Sequence, residues 1–288
     1  MTKIIDRTKT MAKTLLTTVL LTNITWAADP IEDKLINPDI KLKSTLYEEA
    51  LGVEKTKELA LKGDGKKQYD LAYYYHHGTY VEKDLAKAKE WYLRAATTEN
   101  TQVRNKIARL YQIGVVLPKD DVKAFEHYSY SAENGDANAQ GNLAVLYWQG
   151  VGIEKNIPKG IEWAEKAAAQ GSIKAKLNLG AFYNSTVSGQ PDTNKALKWY
   201  QSAAEQGSHL GSLAAGKLYL KLQQFDKAHY YLSESADLYN SEAMLLLAMV
   251  YAKGLGLPVN QEKSIALLKE SERLGNEDAG KILAKFNQ

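Results

Sequence analysis

The sequence predicts an all-α fold, a solenoid of helix–loop–helix repeats that pack side by side. Three features support this prediction: tyrosines, small residues and helix-capping residues recur along the chain with one common spacing. The tyrosines that end each apolar segment are Tyr75, Tyr111, Tyr147, Tyr183, Tyr219 and Tyr251. Successive tyrosines are separated by 36, 36, 36, 36 and 32 residues. Such a period is typical of two-helix units in which each unit covers the apolar face of the next.

The first helix of each predicted unit, called helix A, has an apolar stripe that ends at the tyrosine. Apolar residues recur four, three and one positions before the tyrosine, which places them on one face of an α-helix. The residue three positions before the tyrosine is always small, which lets a neighbouring helix approach closely. These small residues are Ala72, Ala108, Ala144, Gly180, Gly216 and Ala248.

A turn and a second helix, called helix B, follow in each unit. The turn contains glycines, such as Gly150 and Gly152, that tolerate the positive φ angles of a tight turn. The residue that precedes helix B is a good helix N-cap in five of six units. Its side chain can accept hydrogen bonds from the free N–H groups of the first turn. The six residues are Asp84, Asp120, Asn156, Asp192, Gln224 and Asn260. Trp91, Trp163 and Trp199 share one position of helix B, which we assign to core packing.

One unit, LAVLYWQGVGIEKNIPKGIEWAEKAAAQG at residues 143–171, resembles the Sel-1-like repeat, a relative of the tetratricopeptide repeat. The resemblance extends over six units in residues 67–275 and is weakest in units four and five, where glycines of the turn are replaced or missing. It implies a right-handed superhelical solenoid whose A helices line the concave face. We expect one elongated domain, with an N-terminal capping half-repeat at residues 48–66 and a C-terminal capping helix at residues 276–288.

The N-terminal 27 residues differ from the rest of the chain. Four basic residues precede an apolar run over residues 15–24, and small residues precede a cleavage point after Ala27. This order is typical of a Sec-type signal peptide, and the run is too short to span a bilayer. We therefore expect a periplasmic or secreted protein, not a lipoprotein, with a leader or linker at residues 28–47. An uncleaved anchor or a disordered tail is the alternative, and Met11 is an alternative start.

The composition argues against several functional classes. The chain has 37 basic residues, 34 acidic residues and no cysteine. Residues 1–27 contain four of the basic residues and one of the acidic residues, so 33 of each remain after cleavage. Without a net basic field we expect no binding to nucleic acid. We also expect no stable membrane insertion once the signal is removed.

Motifs for catalysis or cofactor binding are not found in the sequence. It has no Gly-x-Ser-x-Gly or His-Glu-x-x-His, and GDGKK at residues 63–67 lacks the first glycine and the Ser/Thr of a phosphate-binding loop. Repeated aspartates are explained by helix capping. We therefore expect no enzyme, no cofactor and no metal.

Candidate partner-binding residues lie on the side of helix A that varies between units. Aromatic and arginine side chains are enriched at binding hot spots. The candidates in the first three units are Tyr73, His76, His77, Arg109, Gln112 and Trp148. Adjacent helical residues point about 100° apart, so His76 and His77 are not expected to chelate a metal. The alternative is that some of these side chains cover neighbouring helices.

Trp148 stands out among the candidates. The equivalent residues of the other units are His76, Gln112, Asn184, Leu220 and Ala252, so packing of the repeat does not predict a tryptophan there.

The predicted function is a non-catalytic scaffold or adaptor that binds a protein partner of unknown identity in the concave groove. The family resemblance implies one specific form, an immunity protein that neutralises a toxin or effector delivered by type VI secretion. It also implies an enzymatic alternative, because some Sel-1-like proteins are described as β-lactamases. Those proteins are clamped by disulfides, so the absence of cysteine argues against this alternative.

Overall fold

The computed structural model describes residues 52–185 and 189–286, and all regular secondary structure in these ranges is α-helical. The first helix, α1, covers residues 52–61. The others are α2 (Gly65–His77), α3 (Leu85–Ala95), α4 (Thr101–Ile113), α5 (Asp121–Glu133), α6 (Ala137–Gln149), α7 (Ile157–Ala169), α8 (Ile173–Tyr183), α9 (Thr193–Ala204), α10 (His209–Lys221), α11 (Phe225–Asp237), α12 (Ser241–Lys253), α13 (Gln261–Arg273) and α14 (Glu277–Phe286). The predicted all-α repeat fold is confirmed.

Several sequence-based predictions concern residues that the structure does not describe. The predicted signal peptide at residues 1–27 and the predicted leader at residues 28–47 lie outside the described ranges. None of the helices in the described ranges combines the length and the apolar character needed to cross a membrane.

The helices alternate between the two predicted types. The even-numbered helices from α2 to α12 are the A helices, and the odd-numbered helices from α3 to α13 are the B helices. Each helix from α2 onward packs against the next one in the chain. Because neighbours in sequence are neighbours in space, the core is a series of clusters that follow one another along the chain.

The tyrosine at the end of each A helix joins it to the following B helix. Its carbonyl oxygen accepts a hydrogen bond from the backbone N–H of the residue that caps helix B, as in Asp84 to Tyr75 at 2.9 Å. A lysine near the start of helix B lies over the tyrosine ring, 5.0 to 5.7 Å from its centroid, in all six units. The pairs are Lys87–Tyr75, Lys123–Tyr111, Lys159–Tyr147, Lys195–Tyr183, Lys227–Tyr219 and Lys263–Tyr251. The ring quadrupole attracts such a cation.

The five predicted N-caps of the B helices are confirmed. In each, the side chain accepts a hydrogen bond from the backbone N–H three residues later, as in Asn156 with Lys159. Gln224, in the unit with the shortened turn, makes no such bond. The turn glycines Gly150 and Gly152 have φ angles of +73° and +71°, as the sequence predicts.

Candidate functional site

The six predicted binding residues lie near the C-terminal ends of three A helices. Three belong to α2, two to α4 and one to α6: they are Tyr73, His76, His77, Arg109, Gln112 and Trp148. The structure divides them into a group in the first two units and a separate site around Trp148.

The α2 residues form a small aromatic cluster. The ring of His77 lies 4.2 Å from the ring of Tyr73 and 4.2 Å from that of His76, measured between centroids. The two imidazoles are closer than the directions of adjacent helical positions predict. The Tyr92 hydroxyl of α3 lies 3.4 Å from Nδ1 of His76. Burial lowers the pKa of His76, and His77 and Lys83 lower it further. His76 therefore contacts the B helix, whereas Tyr73 is 44% exposed and available to a partner.

The two α4 residues differ in their surroundings. Gln112 Oε1 accepts a hydrogen bond of 2.9 Å from the Tyr128 hydroxyl of α5. Burial raises the pKa of Tyr128 to about 12, and the Arg109 charge opposes that change. Arg109 is exposed, and no carboxylate in the described ranges forms an ion pair with it. Gln112 thus contributes to packing within its unit, and Arg109 offers an unpaired charge at the surface.

Trp148 packs against the next unit and against its own B helix. Its ring stacks on Phe182 of α8, with centroids 5.0 Å apart and an angle of 12° between the planes. On α7, a Cβ atom added to Gly160 would lie 2.3 Å from the indole Cδ1 and Nε1. The indole Nε1 is buried and has no hydrogen-bond partner in the described part of the chain.

The space for the Trp148 indole comes from residues of α7 that differ from the repeat. Four residues beyond Gly160, the B helix of unit three has Ala164, where units one, two and four have a tyrosine. Ala164 is fully buried in a cluster that Trp148 packs against. The B helices of four other units have alanine in place of Gly160. The small residues Gly160 and Ala164 on α7 therefore leave a gap, and the indole of Trp148 on α6 fills it.

The exposed part of Trp148 forms a wall of an open cleft between α6 and α8, with a volume of about 520 Å³. Apolar side chains and a few polar groups line it: among them are Val145, Ala181, Phe182, Gln149, Asn178 and Lys155. This lining can supply apolar contact, amide hydrogen bonds and one positive charge to a bound side chain.

Trp148 is the single predicted candidate in this cleft, and the predicted set does not include its other lining residues, such as Phe182, Asn178 and Lys155. The sequence contains a signal for the packing of Trp148, because Gly160 and Ala164 are both smaller than the residues at the same positions of the other B helices. A paired loss of volume on one helix indicates that a large side chain from a neighbour fills the space.

Within residues 52–185 and 189–286, no three His, Asp or Glu side chains are close enough together to hold a metal ion.

Comparison with known proteins identifies the repeat. The Sel1 repeat family matches six segments of the chain: residues 68–97, 104–136, 137–172, 173–208, 214–240 and 241–276. The sequence has no significant match among curated proteins.

Solved structures with a similar fold come from several bacteria. A Sel1 repeat protein from Oxalobacter formigenes is 28% identical, with 77% of this chain and 94% of that chain covered and a TM-score of 0.59. A protective antigen of uropathogenic Escherichia coli with an SLR fold is 25% identical over 81% of this chain and 58% of that chain, with a TM-score of 0.47. An immunity protein from Pseudomonas aeruginosa is 19% identical over 72% of this chain and 81% of that chain, with a TM-score of 0.45.

Proposed function

Since the chain belongs to the Sel1 repeat family, we propose that it is a non-catalytic scaffold that binds a protein partner on the variable side of its A helices. The observation that supports this proposal best is the open cleft beside Trp148. Its walls include Val145, Gln149 and Ala181, which lie outside the core of the repeat, beside the core residue Phe182. A repeat scaffold presents such non-repeated side chains on one continuous surface, which suits the recognition of another protein.

Exposed side chains on the A helices of units one and two also fit this role. Tyr73 is 44% exposed and Arg109 carries an unpaired charge. Tyrosine, tryptophan and arginine supply a large share of the binding energy at protein interfaces, since they combine apolar area with hydrogen bonding. Of the six predicted residues, Tyr73, His77, Arg109 and Trp148 are the ones we assign to partner contact.

A crosslinking experiment tests the proposal. A photoreactive amino acid is placed at Tyr73 or at exposed Gln149 in the full chain, and at exposed Lys89 or Lys198 of the B helices as controls. We expect a protein partner to be crosslinked from the A-helix positions and not from the controls. Crosslinking from the B helices alone would overturn the assignment of the surface.

The crosslinked protein is then purified and its affinity measured directly. Ala181 is exposed in the cleft, so Ala181→Arg blocks it without changing the core. The matched control is Ala266→Arg on the exposed side of α13. We expect Ala181→Arg to weaken binding at least about tenfold, which corresponds to roughly 1.4 kcal/mol, and the control to leave binding unchanged.

The proposed location is the periplasm or the exterior of the cell, with residues 1–27 as the export signal. Intact-mass analysis of protein from fractionated cells tests this. A mature chain that begins at Ala28 and is found outside the cytoplasm would support export. A full-length chain confined to the cytoplasm would rule it out.

Neutralisation of a type VI toxin is one specific form of partner binding. It predicts that expression of the chain restores growth to cells that produce the toxin in their periplasm, and that Ala181→Arg abolishes the protection. If growth is not restored, this form is excluded and the scaffold proposal still stands on the crosslinking result.

A further inference from the structure

Net positive charge is concentrated on the A helices. Together α2, α4, α6, α8, α10 and α12 contain ten Lys and Arg residues but only two acidic residues, Asp70 and Glu242. The six B helices contain twelve residues of each sign. The nearly balanced composition of the chain therefore hides a difference between its two sets of helices.

Most of these cations share one stripe of their helix. We define the A-helix stripe as the positions nine, five and two before the tyrosine and two after it. At 3.6 residues per turn these positions fall within a sector of about 60° on the helix surface. Seven of the ten A-helix cations lie on this stripe: they are Lys66, Lys106, Arg109, Lys174, Lys217, Lys221 and Lys253.

The stripe is left with unpaired positive charge. Of its seven cations, only Lys217 forms an ion pair with a described carboxylate, that of Glu242. The other acidic residue of the A helices, Asp70, is paired with Lys67. All six remaining cations are exposed to solvent. Such a surface attracts negative charge, and the attraction is largest where like charges accumulate on one side.

Contacts between A helices join the first four units into one surface. Lys106 Nζ of α4 lies 4.9 Å from the ring centroid of Tyr69 on α2. Asn142 of α6 donates a hydrogen bond of 3.1 Å to Asn105 of α4, and Lys174 of α8 donates one of 3.1 Å to Asn142. The cations of units one, two and four are therefore on one side of the molecule, together with the cleft beside Trp148.

We propose that this surface binds an acidic segment of a protein partner, with carboxylates against Lys106, Arg109 and Lys174 and an apolar side chain in the cleft beside Trp148. This inference rests on the proposed function, because it specifies the partner for the same A-helix surface.

The distribution of charge favours a protein over a nucleic acid. Helix α6 has no lysine or arginine, and at this point the surface presents Val145 and Trp148 instead. A nucleic-acid backbone carries phosphates at short, regular intervals and is matched by closely spaced cations along its path. An acidic peptide with one apolar side chain matches cations that flank an apolar cleft.

Fluorescence anisotropy with defined probes tests the proposal on the full chain. The first probe is a labelled peptide of aspartate and glutamate with one central phenylalanine. The second has alanine in place of phenylalanine, the third has lysine in place of every acid, and the fourth is a single-stranded oligonucleotide of similar length. We expect the first peptide to bind most tightly, with an affinity that falls as salt rises.

Two triple variants with equal charge change separate local contact from general attraction. The test variant is Lys106→Glu, Arg109→Glu and Lys174→Glu. The control, on exposed B-helix lysines, is Lys89→Glu, Lys198→Glu and Lys269→Glu. We expect the test variant to lose at least about tenfold in affinity for the acidic peptide and the control to lose less than about threefold. Ala181→Arg should weaken the phenylalanine peptide more than the alanine peptide.

Each contrary outcome overturns the proposal. Equal loss in the two triple variants would show a general charge effect, and tighter binding of the oligonucleotide would identify a nucleic-acid surface. If no acidic peptide binds while a partner is still crosslinked from Tyr73 or Gln149, the acidic partner is excluded and the proposed scaffold function stands. If the A-helix crosslinks are absent as well, both proposals fail.

Discussion

Trp148 and Gly160 face each other so closely that a Cβ atom on the glycine would lie 2.3 Å from the indole Cδ1 and Nε1. The two residues lie on α6 and α7, which form the third helix pair. A glycine inside a helix is less favourable than alanine by about 1 kcal/mol. The chain tolerates this loss because the indole needs the space, and the indole in turn forms a wall of the candidate binding cleft.

Gly160→Ala is expected to destabilise the protein by about 1 to 3 kcal/mol, since the added methyl group overlaps the indole. Combined with Trp148→Ala, the same substitution should cost at least about 1 kcal/mol less, because the overlap is gone. Urea unfolding of the two single variants and the double variant measures this coupling.

The matched control for that experiment is Gly141→Ala in the neighbouring helix α6. Apart from its chain neighbours and the backbone of its own helix, no described atom lies within 4 Å of a Cβ built at Gly141. This substitution should be neutral or stabilising by up to about 1 kcal/mol through helix propensity. Equal destabilisation at both glycines would contradict the pairing of Trp148 with Gly160.

His127 is expected to make the fold sensitive to acid. Burial lowers the pKa of His127 to about 4, and the charges of Arg104 and Lys123 add to the shift. An unfolded histidine has a pKa of about 6.5, so between these two values the unfolded chain binds a proton that the folded chain does not. Stability attributable to His127 is therefore present above about pH 6.5 and is lost as the pH falls towards 4, by about 2 to 3 kcal/mol in total.

His127→Trp tests this effect with the residue that other units carry at the same position, as at Trp91 and Trp163. Carboxylates titrate in the same range, so the readout is the difference between variant and wild type. The free energy of unfolding should fall less between pH 7 and pH 4.5 in the variant. His77→Gln controls for the loss of an exposed imidazole, and an unchanged pH dependence in His127→Trp would refute the assignment.

Gln224→Asn is expected to stabilise the protein by about 0.5 to 1 kcal/mol. Gln224 occupies the N-cap of α11 without a side-chain cap hydrogen bond, and the shorter asparagine has the geometry to make one. The opposite change, Asn156→Ala, removes the existing bond to the Lys159 N–H and should cost about 1 kcal/mol. Thermal unfolding of both variants measures these effects, and a loss of stability in Gln224→Asn would contradict the capping argument.

Tyr239→Gly is expected to raise the free energy of unfolding by about 1 kcal/mol. Tyr239 has a φ angle of +58° at the position where other B helices end in glycine, as at Gly135 and Gly171. A side chain is disfavoured in this left-handed conformation, and Tyr239 is 70% exposed, so little packing is lost. Tyr239→Ala keeps the Cβ atom and should show no gain. Equal stability of the two variants would disprove the role of the backbone angle.

Most of the fold could be predicted because its determinants are local or repeated. Tyr75 and its equivalents, the caps of the B helices and the turn glycines all act within one unit. The repeating lysines over the tyrosines could also have been predicted, since Lys87 and its equivalents recur with the same spacing. The binding site was predicted less well, because its residues differ from unit to unit and have no periodic signal.

The sequence by itself determined that this protein is a stack of two-helix units and which positions of each A helix vary between units. This information is local, because capping, turn geometry and apolar spacing depend on residues within a single period. Only the tertiary structure decided which of the free side chains meet. In the structure Trp148 packs against Phe182 and Gly160, and Lys174 donates a hydrogen bond to Asn142 of the neighbouring unit. The physical reason is that contacts between units depend on the volumes and charges of non-repeated side chains, which the period of the sequence does not encode.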